Sequence, residues 1–188
     1  FAGCAIGNGL ANPALQYPQY APFAASYGLL TKSQVDKYAV EIKPCLAAVK
    51  IGAYGTAYEL CNMVSQGIMS AAGIANPYNV HAGCQVPGLC YDFSAVTQFL
   101  TQANVQAALG VPNGIQWQSC NFGVNGQFSK DWMHSMANRL QNVLEANSTV
   151  LIYSGKLDYI CNYFGGRAWT AALQWSGQTS FNNAPKNA

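Results

Sequence analysis

Two short runs of the chain are apolar without a break, and the rest alternates at helical spacing. Phe1 to Ile6 is apolar and runs into Gly7-Asn8-Gly9, which predicts a buried strand ending in a turn. Val150-Leu151-Ile152-Tyr153 predicts a second strand over 149–154. Between them, Val35, Tyr38, Ala39, Ile42 and Leu46 share one side of a helix expected over 33–49, and a second helix is expected over 54–72. Pro13, Pro18 and Pro22 break any long helix in residues 13–30. Asp92 reads as the N-cap of a helix carrying Phe93, Val96, Phe99 and Leu100, and Asn104 as the cap of a shorter one ended by Gly110. Trp132, Met136, Leu140, Val143 and Leu144 predict an amphipathic helix over 131–146, with His134 solvated on its polar side. A last helix is expected over 164–175, followed by a polar, exposed loop over 176–188.

Strands that are apolar on both faces belong to parallel sheets covered by helices on each side. Two strands are too few for such a sheet. The expectation is an α/β chain that starts in mid-domain and relies on further strands from sequence outside it.

Composition narrows the classes. Of 188 residues, 51% are apolar and only 9% charged, against roughly 25% charged in ordinary globular chains, so a disordered chain is excluded. A net charge of +2 argues against nucleic acid or an anionic membrane as partner, and no apolar run is long enough to span a bilayer. The cysteines are Cys4, Cys45, Cys61, Cys84, Cys90, Cys120 and Cys161. There is no CxxC and neither His81 nor His134 stands near a cysteine cluster, so disulfides in an oxidising compartment are expected rather than a metal site. Seven is odd, so at least one thiol is free or bonded to another chain. The sequon Asn147-Ser148-Thr149 agrees with a secretory route and makes Asn147 a candidate glycosylation site.

The chemistry concentrates after the second strand. Asp158 follows it by one turn and precedes a helix, where open α/β sheets keep their sites. Two readings are open on spacing: the acid of a Ser–Asp–His triad, or an N-cap of the next helix. Four stretches together resemble the serine carboxypeptidase family: Ala5-Ile6-Gly7-Asn8-Gly9-Leu10 with Gln16-Tyr17-Pro18; Asn76-Pro77-Tyr78 with Cys84 and Leu89-Cys90-Tyr91; Ser119-Cys120-Asn121 with Asp131-Trp132-Met133; and 150–162 with Ala168-Trp169-Thr170. They fall in the family's order.

The resemblance implies a partial α/β-hydrolase fold with a mostly helical cap insertion. Residues 1–12 would be a core strand and turn, 13–128 the cap, and 129–188 a core helix, strand, triad acid and following helix. It implies that Asp158 is the triad acid, with the nucleophile serine before Phe1 and the histidine after Ala188, on other chains of the same processed enzyme. This chain has no Gly-x-Ser-x-Gly and is expected to be inactive alone. The resemblance further implies that Leu10, Tyr17, Tyr20, Asn62, Trp132, Ile160 and Cys161 line the pocket for the side chain before the scissile bond. Tyr78 and Tyr91 would line the pocket for the C-terminal residue. It pairs Cys84 with Cys90 and Cys45 with Cys61, bonds Cys120 to a cysteine before Phe1, and leaves Cys4 and Cys161 as thiols. Peptides are the implied substrates, no cofactor is implied, and the location is secreted or vacuolar/lysosomal. The family usually has Gly-Asp-x-Asp where this chain has Gly155-Lys156-Leu157-Asp158. A carboxypeptidase-like acyltransferase or lyase, and a non-catalytic fragment or binding remnant, are the alternatives.

Overall fold

The computed structural model describes residues 1–112 and 114–185. Among them, β1 (Gly3–Gly7) and β2 (Thr149–Tyr153) form a two-stranded parallel sheet, with Gly3 opposite Thr149 and Gly7 opposite Tyr153. Every other element is helical. The strands are less covered than expected: alternate residues of β2 are open, with Leu151 56% and Tyr153 58% exposed. One face of β2 rests on α9 (Ala137–Glu145) and α10 (Tyr163–Ala172), while its outer face and far edge are unpaired among the described residues.

The prolines start short helices rather than only breaking long ones. Pro13 opens α1 (Pro13–Gln16), Pro18 opens a 3-10 turn (Tyr17–Gln19), and α2 (Tyr20–Ser26) follows directly. Proline fits a first turn because its missing N–H has no intrahelical partner there. The same rule splits the helix expected over 33–49. Thr31 starts α3 (Lys32–Glu41) with a reciprocal capping box to Gln34; the chain then restarts as α4 (Lys43–Lys50), with Pro44 in its first turn. The next helix, α5 (Tyr54–Ala71), packs along α4, and the Cys45–Cys61 disulfide joins them. Cys84 and Cys90 form the second disulfide.

Three short helices follow: α6 (Ser94–Leu100), α7 (Ala103–Ala108) and α8 (Phe122–Gln127), none with a buried residue. Asp92 accepts from the Ser94 N–H at 2.8 Å but sits one residue outside the N-cap position, which Phe93 occupies; Asn104 lies inside α7, after Gln102. The helix expected from Asp131 begins only at Ala137, and residues 131–134 form a turn. Within 176–188, Gln178–Asn183 form α11 instead of a loop; residues 186–188 lie outside the described residues. No described helix is long and apolar enough to cross a membrane.

The main core gathers Phe23, Tyr38, Ile42, Cys45, Cys61 and Ile68 with Met133 and Tyr159, so the helical region and the segment after β2 share one interior. A second cluster, Ala11, Ala137, Trp169 and Leu173, lies under β2. The Trp169 indole N–H is buried with no partner among the described residues.

Candidate active site

Both strands end on the same side, and the turns that leave them build the site. Asn8 takes a left-handed conformation (φ 57°), which asparagine tolerates, and its N–H donates to the Tyr153 carbonyl at 3.0 Å. Gln16 fixes the following residues. Its Oε1 accepts from the N–H groups of Ala11 and Asn12, both at 2.8 Å, and its Nε2 donates to the Gly9 carbonyl at 3.0 Å.

After β2 the chain turns through Gly155 to Asp158, whose side chain is only 5% exposed. Its Oδ1 accepts from the Cys161 N–H at 2.9 Å. Burial raises the Asp158 carboxyl above the ordinary carboxylate range, and backbone N–H donors from Cys161 and Ile160 oppose that shift. Asp158 does not cap the next helix. That position belongs to Asn162, whose side chain accepts from the Gly165 N–H at 2.9 Å. The carboxylate is thus held in a turn at the carboxyl end of a parallel strand.

The helical region docks onto this turn through Asn76-Pro77-Tyr78. The Pro77 carbonyl accepts from Tyr159 N–H at 2.9 Å and Ile160 N–H at 3.0 Å, and Val80 N–H donates to the Leu157 carbonyl at 3.0 Å. Fully buried Asn76 shapes the segment by accepting from the Tyr78 N–H at 2.9 Å. Tyr20 Oη donates to the Ile160 carbonyl at 2.8 Å, and Tyr159 Oη to the Ser65 carbonyl at 2.6 Å.

Beside Asp158 opens a cavity of about 490 Å³. Leu10, Tyr17, Tyr20, Asn62, Tyr78, Trp132, Ile160 and Cys161 all line it. Tyr91 does not; its ring lies against Tyr78, with centroids 5.9 Å apart. Tyr17 and Tyr20 are tilted rings 5.4 Å apart, and Tyr17 Oη donates to Asn62 Oδ1 at 3.0 Å. Burial pushes the Tyr17 phenol up to about 12 and the Cys161 thiol up to about 11, the latter helped by the Asp158 charge. At neutral pH Cys161 is therefore a thiol and a poor nucleophile. The cavity can hold a large apolar side chain, and the carboxylate behind it can accept a hydrogen bond from an approaching donor.

Sequence reasoning missed part of this lining. Ser65, Gln66 and Met69 join Asn62 on one face of α5 at spacings of three, four and seven, a helical stripe that Asn62 alone could have pointed to. Asp131, His134 and Met136 also line the cavity. His134 is not solvated on a helix face, because no helix begins until Ala137; it stacks on Tyr54 with ring centroids 3.7 Å apart. Of the remaining candidates, Cys4 and Cys120 are partly buried thiols among the described residues. Asn147 is exposed in a left-handed turn after α9. It borders a separate hollow of about 620 Å³ along β2, walled by residues of α9 and α10, which no other predicted site residue lines.

Residues 1–187 match the family model described as serine carboxypeptidase. The chain is 39% identical to serine carboxypeptidase-like 49 of Arabidopsis thaliana, an alignment spanning 97% of this chain and 36% of that protein. It is 32% identical to serine carboxypeptidase S10 family member 1 of Dictyostelium discoideum, over 98% of this chain and 44% of that protein. The chain therefore spans little more than a third of the length of the Arabidopsis relative. A crystal structure of a prohormone-processing carboxypeptidase from Saccharomyces cerevisiae superimposes with a TM-score of 0.75 at 23% identity, covering 94% of this chain and 41% of that one. That likeness shows the fold: part of an α/β hydrolase, rich in helix with a small sheet.

Proposed function

As the chain belongs to the serine carboxypeptidase family, we propose that it supplies the triad acid and most of one substrate pocket to an enzyme that releases C-terminal residues from peptides. One observation carries this reading. The buried Asp158 carboxylate sits at the carboxyl end of β2, and Ile160 and Cys161, two and three residues on, line an aromatic cavity. Asp158 accepts the Nδ1 hydrogen of a histidine, fixes its tautomer and stabilises the imidazolium formed when serine attacks the peptide carbonyl and an acyl-enzyme forms. The cavity holds the side chain before the scissile bond; Tyr78 with Tyr91 flanks the C-terminal residue.

We place the serine and the histidine outside these residues. The unpaired edge of β2, its exposed Leu151 and Tyr153, and the unpartnered Trp169 N–H favour a further strand there. That strand leads to a histidine about 2.6–3.2 Å from Asp158. Two disulfides and an exposed sequon favour an oxidising location, secreted or vacuolar/lysosomal.

The test is labelling with a fluorophosphonate and hydrolysis of a blocked dipeptide. The complete enzyme should react and turn over, and this chain alone should do neither. Labelling of this chain alone would refute the assignment.

A further inference from the structure

The cavity has two kinds of wall. Leu10, Tyr17, Tyr20 and Trp132 are apolar or aromatic, whereas α5 contributes the amides of Asn62 and Gln66. Asp131 is the one carboxylate among the lining residues, and no lysine or arginine lines the cavity. The Asp131 side chain has no hydrogen-bond or ion-pair partner among the described residues and stands at the exposed rim. A side chain entering past the aromatic walls would thus meet amides along its length and a bare carboxylate at the rim. Methylenes gain by lying along aromatic surface, and a terminal cation gains further from an unpaired carboxylate.

We propose that Asp131 is a specificity-determining residue: it makes this pocket select long side chains that end in a cation, arginine or lysine, over neutral side chains of equal length. This rests on the reading of the cavity as the pocket before the scissile bond. Because Asp131 is exposed, its preference is modest, roughly 1.5- to fivefold.

The probe is a pair of blocked dipeptides with arginine or its neutral isostere citrulline before the scissile bond and the same C-terminal residue. In the complete enzyme, kcat/KM should favour arginine by that factor. Asp131→Asn should bring the ratio close to one by weakening only the arginine substrate, and Asp131→Glu should restore it. A ratio of one in the parent enzyme, a preference that survives Asp131→Asn, or an equal loss on both substrates would each overturn the proposal. Binding is read separately, by tryptophan-fluorescence titration with N-benzoyl-arginine and N-benzoyl-citrulline. Absence of hydrolysis together with an Asp131-dependent binding preference would sink the carboxypeptidase reading and leave this one standing. Equal affinity for the two ligands would sink this one.

Discussion

Gln16→Met removes three hydrogen bonds while keeping the length of the side chain. In the folded chain Gln16 is 8% exposed, and its amide serves the N–H groups of Ala11 and Asn12 and the carbonyl of Gly9. Methionine fills the same space against Gly165, which lies 3.2 Å from the Gln16 Cβ and Cγ when a Cβ is placed on it, so the packing loss is small. What is lost is polar. Each of the three bonds is worth about 1 kcal/mol net, and a buried N–H left unpaired costs about 1–3 kcal/mol. The expected destabilisation is about 3 kcal/mol, or roughly 6–12 °C in Tm for a chain of this size. Urea titration followed by tryptophan fluorescence measures it. The same variant should weaken substrate binding, because Asn8, Gly9 and Leu10 line the cavity and the bonds to Gly9, Ala11 and Asn12 fix the chain at and just after them. A loss below about 1 kcal/mol would show that the Gln16 amide adds nothing beyond packing, and that the turn after β1 is held by other means.

Asp158→Asn in the complete enzyme should lower kcat by on the order of 10⁴ with little change in KM, as measured on a blocked dipeptide. In this chain alone, burial raises the Asp158 pKa above its ordinary value of 3.8, so its stability contribution is present below that value and is lost as pH rises through the folded-state value. Asp158→Asn should therefore gain stability relative to the parent as pH goes from about 4 to 7; a pH-independent difference in urea midpoint would contradict this. Trp132→Ala should reduce kcat/KM more for substrates with Phe or Leu before the scissile bond than for those with Ala; equal losses across the series would refute the pocket assignment. Replacing Cys45 and Cys61 by serine should cost about 3 kcal/mol, since their sequence separation is 16, and replacing Cys84 and Cys90, separated by 6, should cost about 2. Denaturation under non-reducing conditions reads both.

The elements with unbroken patterns were legible. β2 is a continuous apolar run, and α5 spans almost the predicted residues. Errors arose where a helical period continued through a break in the backbone. Val35 to Leu46 keep their spacing across Ile42, yet Pro44 lacks an N–H and must begin a new helix. Trp132 and Met136 fit the period of α9, but they line the cavity from the turn and the N-cap that precede it. Periodicity records that a residue is apolar and does not distinguish a core from a pocket wall. Eight of the nine residues that the resemblance names lie along one cavity, but of the α5 stripe it names only Asn62, because Ser65, Gln66 and Met69 carry no motif that sets them apart.

The pairing of Gly3–Gly7 with Thr149–Tyr153 has a consequence for synthesis. A ribosome adds about 5–20 residues per second, so β1 is exposed for on the order of ten seconds before β2 has emerged. Over that interval the helices between them can settle by local contacts, and the Cys45–Cys61 bond can form between α4 and α5. The long closure adds about 2 kcal/mol of chain entropy relative to a ten-residue loop, and prior folding of the intervening helices shortens the flexible path that must be closed. The nascent chain thus carries an apolar strand without its partner while the helices between the two strands form. Holdase binding to Phe1–Ile6 during that window would protect the sheet that later aligns Asn8 with the Asp158 turn.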